Sequence, residues 1–250
     1  MVADLQKADV WKRVAAWLLD FMLVCVLVVG VGALLSTMLD YDGKLQRYES
    51  KYNGYIAQYD LQDVDLNAPA NEEEQQRIDE AGEAMYKDEE LMELRSLVTN
   101  LMLIIATFAV LVAVLVLEFA VPLLLKNGQT VGKKVFSLGV VRVDSVVMGP
   151  FQLFIRAVLG KFTVETMLPA YAVMLGLFGG MPLAAVIIIG GLAVGQIICI
   201  AATKYNCALH DQMSGTAVVD IAGQKVFRSS QELLEYTKRI HAEEAKRKDY

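Results

Sequence analysis

The chain has 250 residues, 55% of them hydrophobic and 21% charged, with a net charge of −6. Its apolar residues gather in four blocks, 14–39, 97–125, 162–178 and 182–203. That distribution excludes one soluble core, whose surface helices would be shorter and carry a polar stripe. An acidic chain of this kind is not expected to bind nucleic acid.

In chain order, residues 1–12 form a short lead-in carrying Lys7 and Lys12, with Trp11 and Trp17 bracketing a membrane interface. The first apolar block is about twice as long as a signal-peptide core, and no small-residue cleavage site follows it. It is read as a retained transmembrane helix, so that 1–39 is the lead-in and first span. About 20 apolar residues cross ~30 Å of hydrocarbon. Asp20 therefore lies roughly 10 Å along the helix from Arg13, within the apolar slab and on the same face. A carboxylate at that depth needs a partner, a proton or water, so this face is expected to turn inward.

Residues 40–95 hold sixteen acidic and six basic side chains, a net of −10. Tyr48, Tyr52, Tyr55 and Tyr59 recur on one helical face. The stretch from Leu61 to Asn71 breaks that pattern. Asn71 then precedes Glu72, Glu73 and Glu74, a cap and an acidic first turn that announce a second helix. This segment is read as an extracytoplasmic helical hairpin.

The second span, 96–125, carries Glu118 about two turns before its end. The 126–161 loop holds six basic residues against Asp144, a net of +5. Gly128 and Gly132 are too close for a phosphate-binding loop, and Val135 stands where that motif needs Ser or Thr. Pro150 opens an expected interfacial amphipathic helix, with Phe151, Phe154, Ile155, Val158 and Leu159 opposite Gln152, Arg156 and Lys161. The segment 162–203 supplies two further spans. Glu165 stands one α-helical turn from Lys161, Pro169 predicts a kink, and Gly191 and Gly195 form a small-residue face for helix packing, expected within the chain, with dimerisation as the alternative. A tight turn at Gly179-Gly180-Met181-Pro182 joins them.

The tail, 204–250, contains A-L-H-D-Q-M-S-G-T-A-V-V-D and a charged helix from about Gln231. Cys25, Cys199 and Cys207 have no metal or redox spacing and read as buried small residues. No cofactor or metal site is expected. Basic residues favour the cytoplasmic side, which places both termini and 126–161 inside and 40–95 outside. The fold class is thus all-α: a polytopic membrane protein with four transmembrane helices, the interfacial helix and the hairpin.

Three separated pieces then coincide: R-V-A-A-W-L-L-D, N-G-Q-T-V-G-K-K-V-F-S-L-G-V-V-R-V, and L-H-D-Q-M-S-G-T-A-V-V. In this order they resemble the RDD family of bacterial membrane proteins, named for one arginine and two aspartates. The resemblance covers 13–39 and 97–220, with 40–95 as an added external segment. It implies that the named residues are Arg13, Asp20 and Asp211, that the loop motif is Thr130, Gly132, Lys133 and Lys134, and that a further arginine is Arg156. It also implies a bacterial plasma membrane, and some members are proposed to exchange sodium for protons.

Asp20, Glu118 and Glu165 are expected in one membrane layer, with Arg13, Arg156 and Lys161 at its rim. One reading makes Asp20 and Glu118 exchange a proton for a small cation, since a desolvated carboxylate titrates nearer neutrality. A four-span transporter would need to oligomerise to complete its site. The other reading pairs Asp20 with Arg13 or Arg156 as a structural clamp. The protein would then serve as a non-transporting scaffold for a membrane-protein partner. Enzymatic activity is not expected: His210-Asp211 with Ser214 or Cys207 matches no hydrolase motif.

Overall fold

A computed structural model describes residues 5–64, 71–125, 128–178 and 180–248. Among the described residues, four helices are long and apolar enough to cross a membrane: Val10–Met38, Glu89–Leu124, Pro150–Gly176 and Pro182–Ala202. Contacts divide the chain into two compact units, one of residues 1–27 with 110–250 and one of residues 28–109.

The smaller unit holds two polar helices, Tyr41–Gln58 and Glu72–Lys87, packed on one another. Asn71 caps the second: its side chain accepts from Glu74 N at 2.8 Å, while Glu74 accepts from Asn71 N at 3.0 Å. That reciprocal pair satisfies two donors that a helix start leaves open. The four tyrosines lie half-buried along one face, Tyr48 and Tyr52 stacking and Tyr55 donating to Asp88 at 2.9 Å. Residues 65–70 of the expected break, Lys126 of the basic loop and Gly179 of the expected turn lie outside the described residues.

The larger unit contains a feature that periodicity did not announce. Leu138–Arg142 (β1) and Thr216–Asp220 (β2) pair antiparallel, from Leu138 opposite Asp220 to Arg142 opposite Thr216. Each strand is buried at four of its five residues, so neither shows the alternation of a half-exposed strand. One side packs Leu5, Val141, Cys207, Ala217 and Val219; the other packs Ala8, Ala16, Leu138, Val140 and Val218. Lys7 bridges to Val219, so the lead-in reaches β2 before the first span begins. The basic loop is therefore tied to the tail and to the first span.

The second and third spans each widen into a π register ahead of a proline, over Leu115–Ala120 before Pro122 and Ile155–Met167 before Pro169. Proline lacks the N–H that would close the normal turn, leaving carbonyls upstream to other donors. The hydroxyls of Thr163 and Thr166 donate to carbonyls five residues back, at 2.9 and 2.8 Å. Glu118 lies in the first widened turn, and Arg156, Lys161 and Glu165 lie in the second.

Three expectations are corrected here. The amphipathic stretch 150–161 is not a separate surface helix, because helical backbone runs from 150 to 178 and buries Arg156, Ala157 and Gly160. Gly191 and Gly195 have no neighbour within 4 Å of a built Cβ among the described residues. The close approach in that helix pair is instead at Gly176, whose Cβ would stand 2.9 Å from that of Ala185. The cysteines also divide: Cys207 is buried and Cys199 half-buried, but Cys25 is exposed on the first span.

Candidate functional site

Asp20 and Ala16 are the buried residues of the first span. Their face meets the start of a short helix, Val131–Val135, that Thr130 caps. The Thr130 hydroxyl donates to Asp20 Oδ2 at 2.5 Å, and Gly132 N donates to Asp20 Oδ1 at 2.7 Å. Lys133 Nζ donates to the same hydroxyl at 3.2 Å. The carboxylate thus takes up donors that the helix start leaves open. Gly132 is required by contact, since a Cβ there would lie 3.0 Å from Asp20 Cγ and run into the Ala16 carbonyl. Among the described residues no ion pair joins Asp20 to an arginine, which corrects the expected pairing with Arg13 or Arg156. Capping needs the backbone N–H of a distant loop, and no spacing within the first span could disclose it.

The second aspartate takes the arginines instead. Asp211 is fully buried on the tail helix Leu209–Ser214, and its Oδ2 accepts from Ala208 N at 3.0 Å. Arg156, 3% exposed, donates to Asp211 Oδ1 and to Thr216 Oγ1 at 2.9 Å. Arg13 NH2 lies 3.7 Å from Asp211 Oδ2, and its NH1 donates to Asn206 O at 2.7 Å. One carboxylate therefore holds guanidinium groups from the first and third spans. Burial works against the Asp211 charge, but Arg156 and the Ala208 N–H outweigh it and hold the carboxyl well below its usual range. Gly215 ends the tail helix at φ 63°, a left-handed turn that aims Thr216 back at Arg156.

His210 joins this group. Its Nε2 faces Arg156 NH2 at 3.1 Å, and its Nδ1 faces both Glu165 oxygens, at 2.8 and 2.9 Å. A guanidinium can only donate, so Nε2 accepts and Nδ1 carries the hydrogen. Burial, then Arg156, pushes this imidazole down from its usual range. Glu165 therefore pairs with the tail rather than with Lys161, whose ammonium pairs with Glu118 from the second span. The physical reason is the π register, in which residues four apart no longer stack directly.

Lys133 completes the set. It is 8% exposed, and burial together with the like charge of Lys161 pushes its ammonium down to about 8 despite Glu118. Asp20, Glu118, Glu165 and Asp211 face Arg13, Lys133, Arg156 and Lys161, four negative charges against four positive. Lys134, by contrast, is exposed. Reasoning from sequence gave His210 only a dismissed catalytic role and left Thr216 without one. Both lie inside the H-D-x-x-x-G-T element, so the signal was present, but their contacts are made across 45 to 60 residues of chain.

The family model for the RDD family matches residues 7–215. The chain belongs to the RDD family. It is accordingly a membrane protein. No curated relative and no solved structure matches it.

Proposed function

We propose that this RDD protein is a non-transporting membrane scaffold whose charged layer is a structural clamp. The reading is supported by one observation: each of the four carboxylates is engaged by a donor from another segment. Asp20 takes the loop at Thr130 and Gly132, Glu118 takes Lys161, Glu165 takes His210, and Asp211 takes Arg156 and Arg13. Loop, tail and spans are thereby tied together by compensated charge. Breaking such a pair costs far more than forming it gains, which suits a device for holding one arrangement. The excess of basic residues in 126–161 supports a plasma-membrane protein with both termini cytoplasmic. Its partner would be another membrane protein or a second copy, and no catalytic step is assigned to it.

A second reading, small-cation/proton exchange, is favoured by Lys133, an ammonium held near neutrality and hydrogen-bonded to the hydroxyl that caps Asp20. Proteoliposomes containing the protein and an internal pH dye separate the two. The clamp predicts no proton movement after Na⁺, K⁺ or Li⁺ pulses, and loss of detergent stability in Asp20→Asn. Cation-triggered proton flux that disappears in a folded Asp20→Asn protein would replace the scaffold with an exchanger.

A further inference from the structure

The structure assigns to His210 the role of an acid-sensitive latch, through which protonation of its ring releases the tail from the third span. This regulation of the clamp rests on the clamp reading itself.

The tail helix Leu209–Ser214 packs along the widened turn Ile155–Met167. His210 is the residue through which it makes two polar contacts there at once. Its backbone N–H and ring Nδ1 both address Glu165, at 3.3 and 2.8 Å, while Nε2 takes a hydrogen from Arg156 at 3.1 Å. The last contact exists only while Nε2 keeps its lone pair. A proton taken from solvent at Nε2 turns that acceptor into a donor and sets an imidazolium against a guanidinium. Arg156 cannot yield by losing its charge, and its NH1 group already serves Asp211 and Thr216. The pair must then separate, and the tail carries His210.

The charged groups facing the ring are Arg156, Lys161 and Glu165 on the third span and Asp211 on its own helix, with Nε2 3.8 Å from Asp211 Oδ1. The two cations oppose a positive ring and the two carboxylates favour it. Burial decides the balance against the charged form, so the imidazole sits below its usual range in the docked tail. An undocked tail exposes the ring, which then binds a proton near its ordinary value of 6.5. The docked state therefore binds fewer protons between its own lowered value and 6.5. Docking is at full strength above that window and weakens as pH falls through it.

The test uses the full-length protein in nanodiscs, followed by amide hydrogen exchange over Leu209–Ser214 and Thr216–Asp220 from pH 8 to 5, corrected for intrinsic rates. Ring NMR supplies the titration of His210 against His241, which is exposed and serves as reference. His210 is expected to titrate below His241, with protection falling about tenfold per pH unit within the window, as one linked proton requires. His210→Gln should remove that pH dependence. Protection that stays constant to pH 5, a His210 ring that titrates at or above His241, or an unchanged slope in His210→Gln would each overturn the latch. Arg156→Met distinguishes the two levels. If it leaves protection unchanged at pH 8, the clamp itself fails. If it abolishes protection while the wild type shows no pH dependence, the clamp stands and the latch alone fails.

Discussion

The charged layer and the acidic hairpin are both rich in ion pairs, yet they use them differently. Arg156 and Asp211 pair with side chains 4% and 0% exposed, whereas Lys87 and Glu83 pair at 71% and 68%, and Arg47 and Glu90 at 70% and 57%. In the hairpin these outer pairs keep most of their water, Lys51 and Asp88 being the more covered pair at 33% and 18%, and the helices stand on capping, half-buried tyrosines and an apolar stripe through Ala81. In the charged layer most of the water is gone, no side chain being more than 25% exposed, and each ion depends on its partner. The number of salt bridges therefore says little, and the exposure of each side chain decides its weight.

The sharpest way to break this contrast is Arg156→Met. It leaves Asp211 buried with only the more distant Arg13, and a loss of about 3–5 kcal/mol is expected, read as detergent unfolding. Adding Asp211→Leu removes the orphaned charge, so the double variant should be far less destabilised than the sum of the single changes. Gly132→Ala comes next. Its methyl group would push against the Ala16 carbonyl and Asp20, an overpacking cost of about 1–3 kcal/mol, with Asp20 cross-linking to the loop as a second readout. Asn71→Ala removes the side-chain acceptor of the capping pair in the hairpin, leaving only the backbone N–H donation to Glu74, and should cost about 1 kcal/mol, seen as fraying of Glu72–Lys87 by hydrogen exchange. The smallest effect sharpens the comparison most: Glu83→Gln, with its carboxylate in open water, should leave the unfolding midpoint unchanged.

Several features of this protein were legible in its sequence because they depend on neighbours along the chain. The four apolar blocks, the helix start at Asn71, the tyrosine face and the three family motifs all follow from spacing within one segment. The inward turn of the Arg13–Asp20 face followed from the cost of a carboxylate in hydrocarbon, and Ala16 and Asp20 are the buried pair of that helix. What only the tertiary structure decided is who meets whom. Asp20 meets a loop 110 residues away rather than an arginine seven residues away, and Asp211 collects the arginines. Two short strands pair because the lead-in and tail cover both their faces. Glu165 turns from Lys161 to His210 because a proline downstream opens the helix into a wider register. Local pattern sets which groups are buried, since burial follows from the apolar face. It cannot set their partners, because a buried charge accepts whatever donor the folded chain delivers to it.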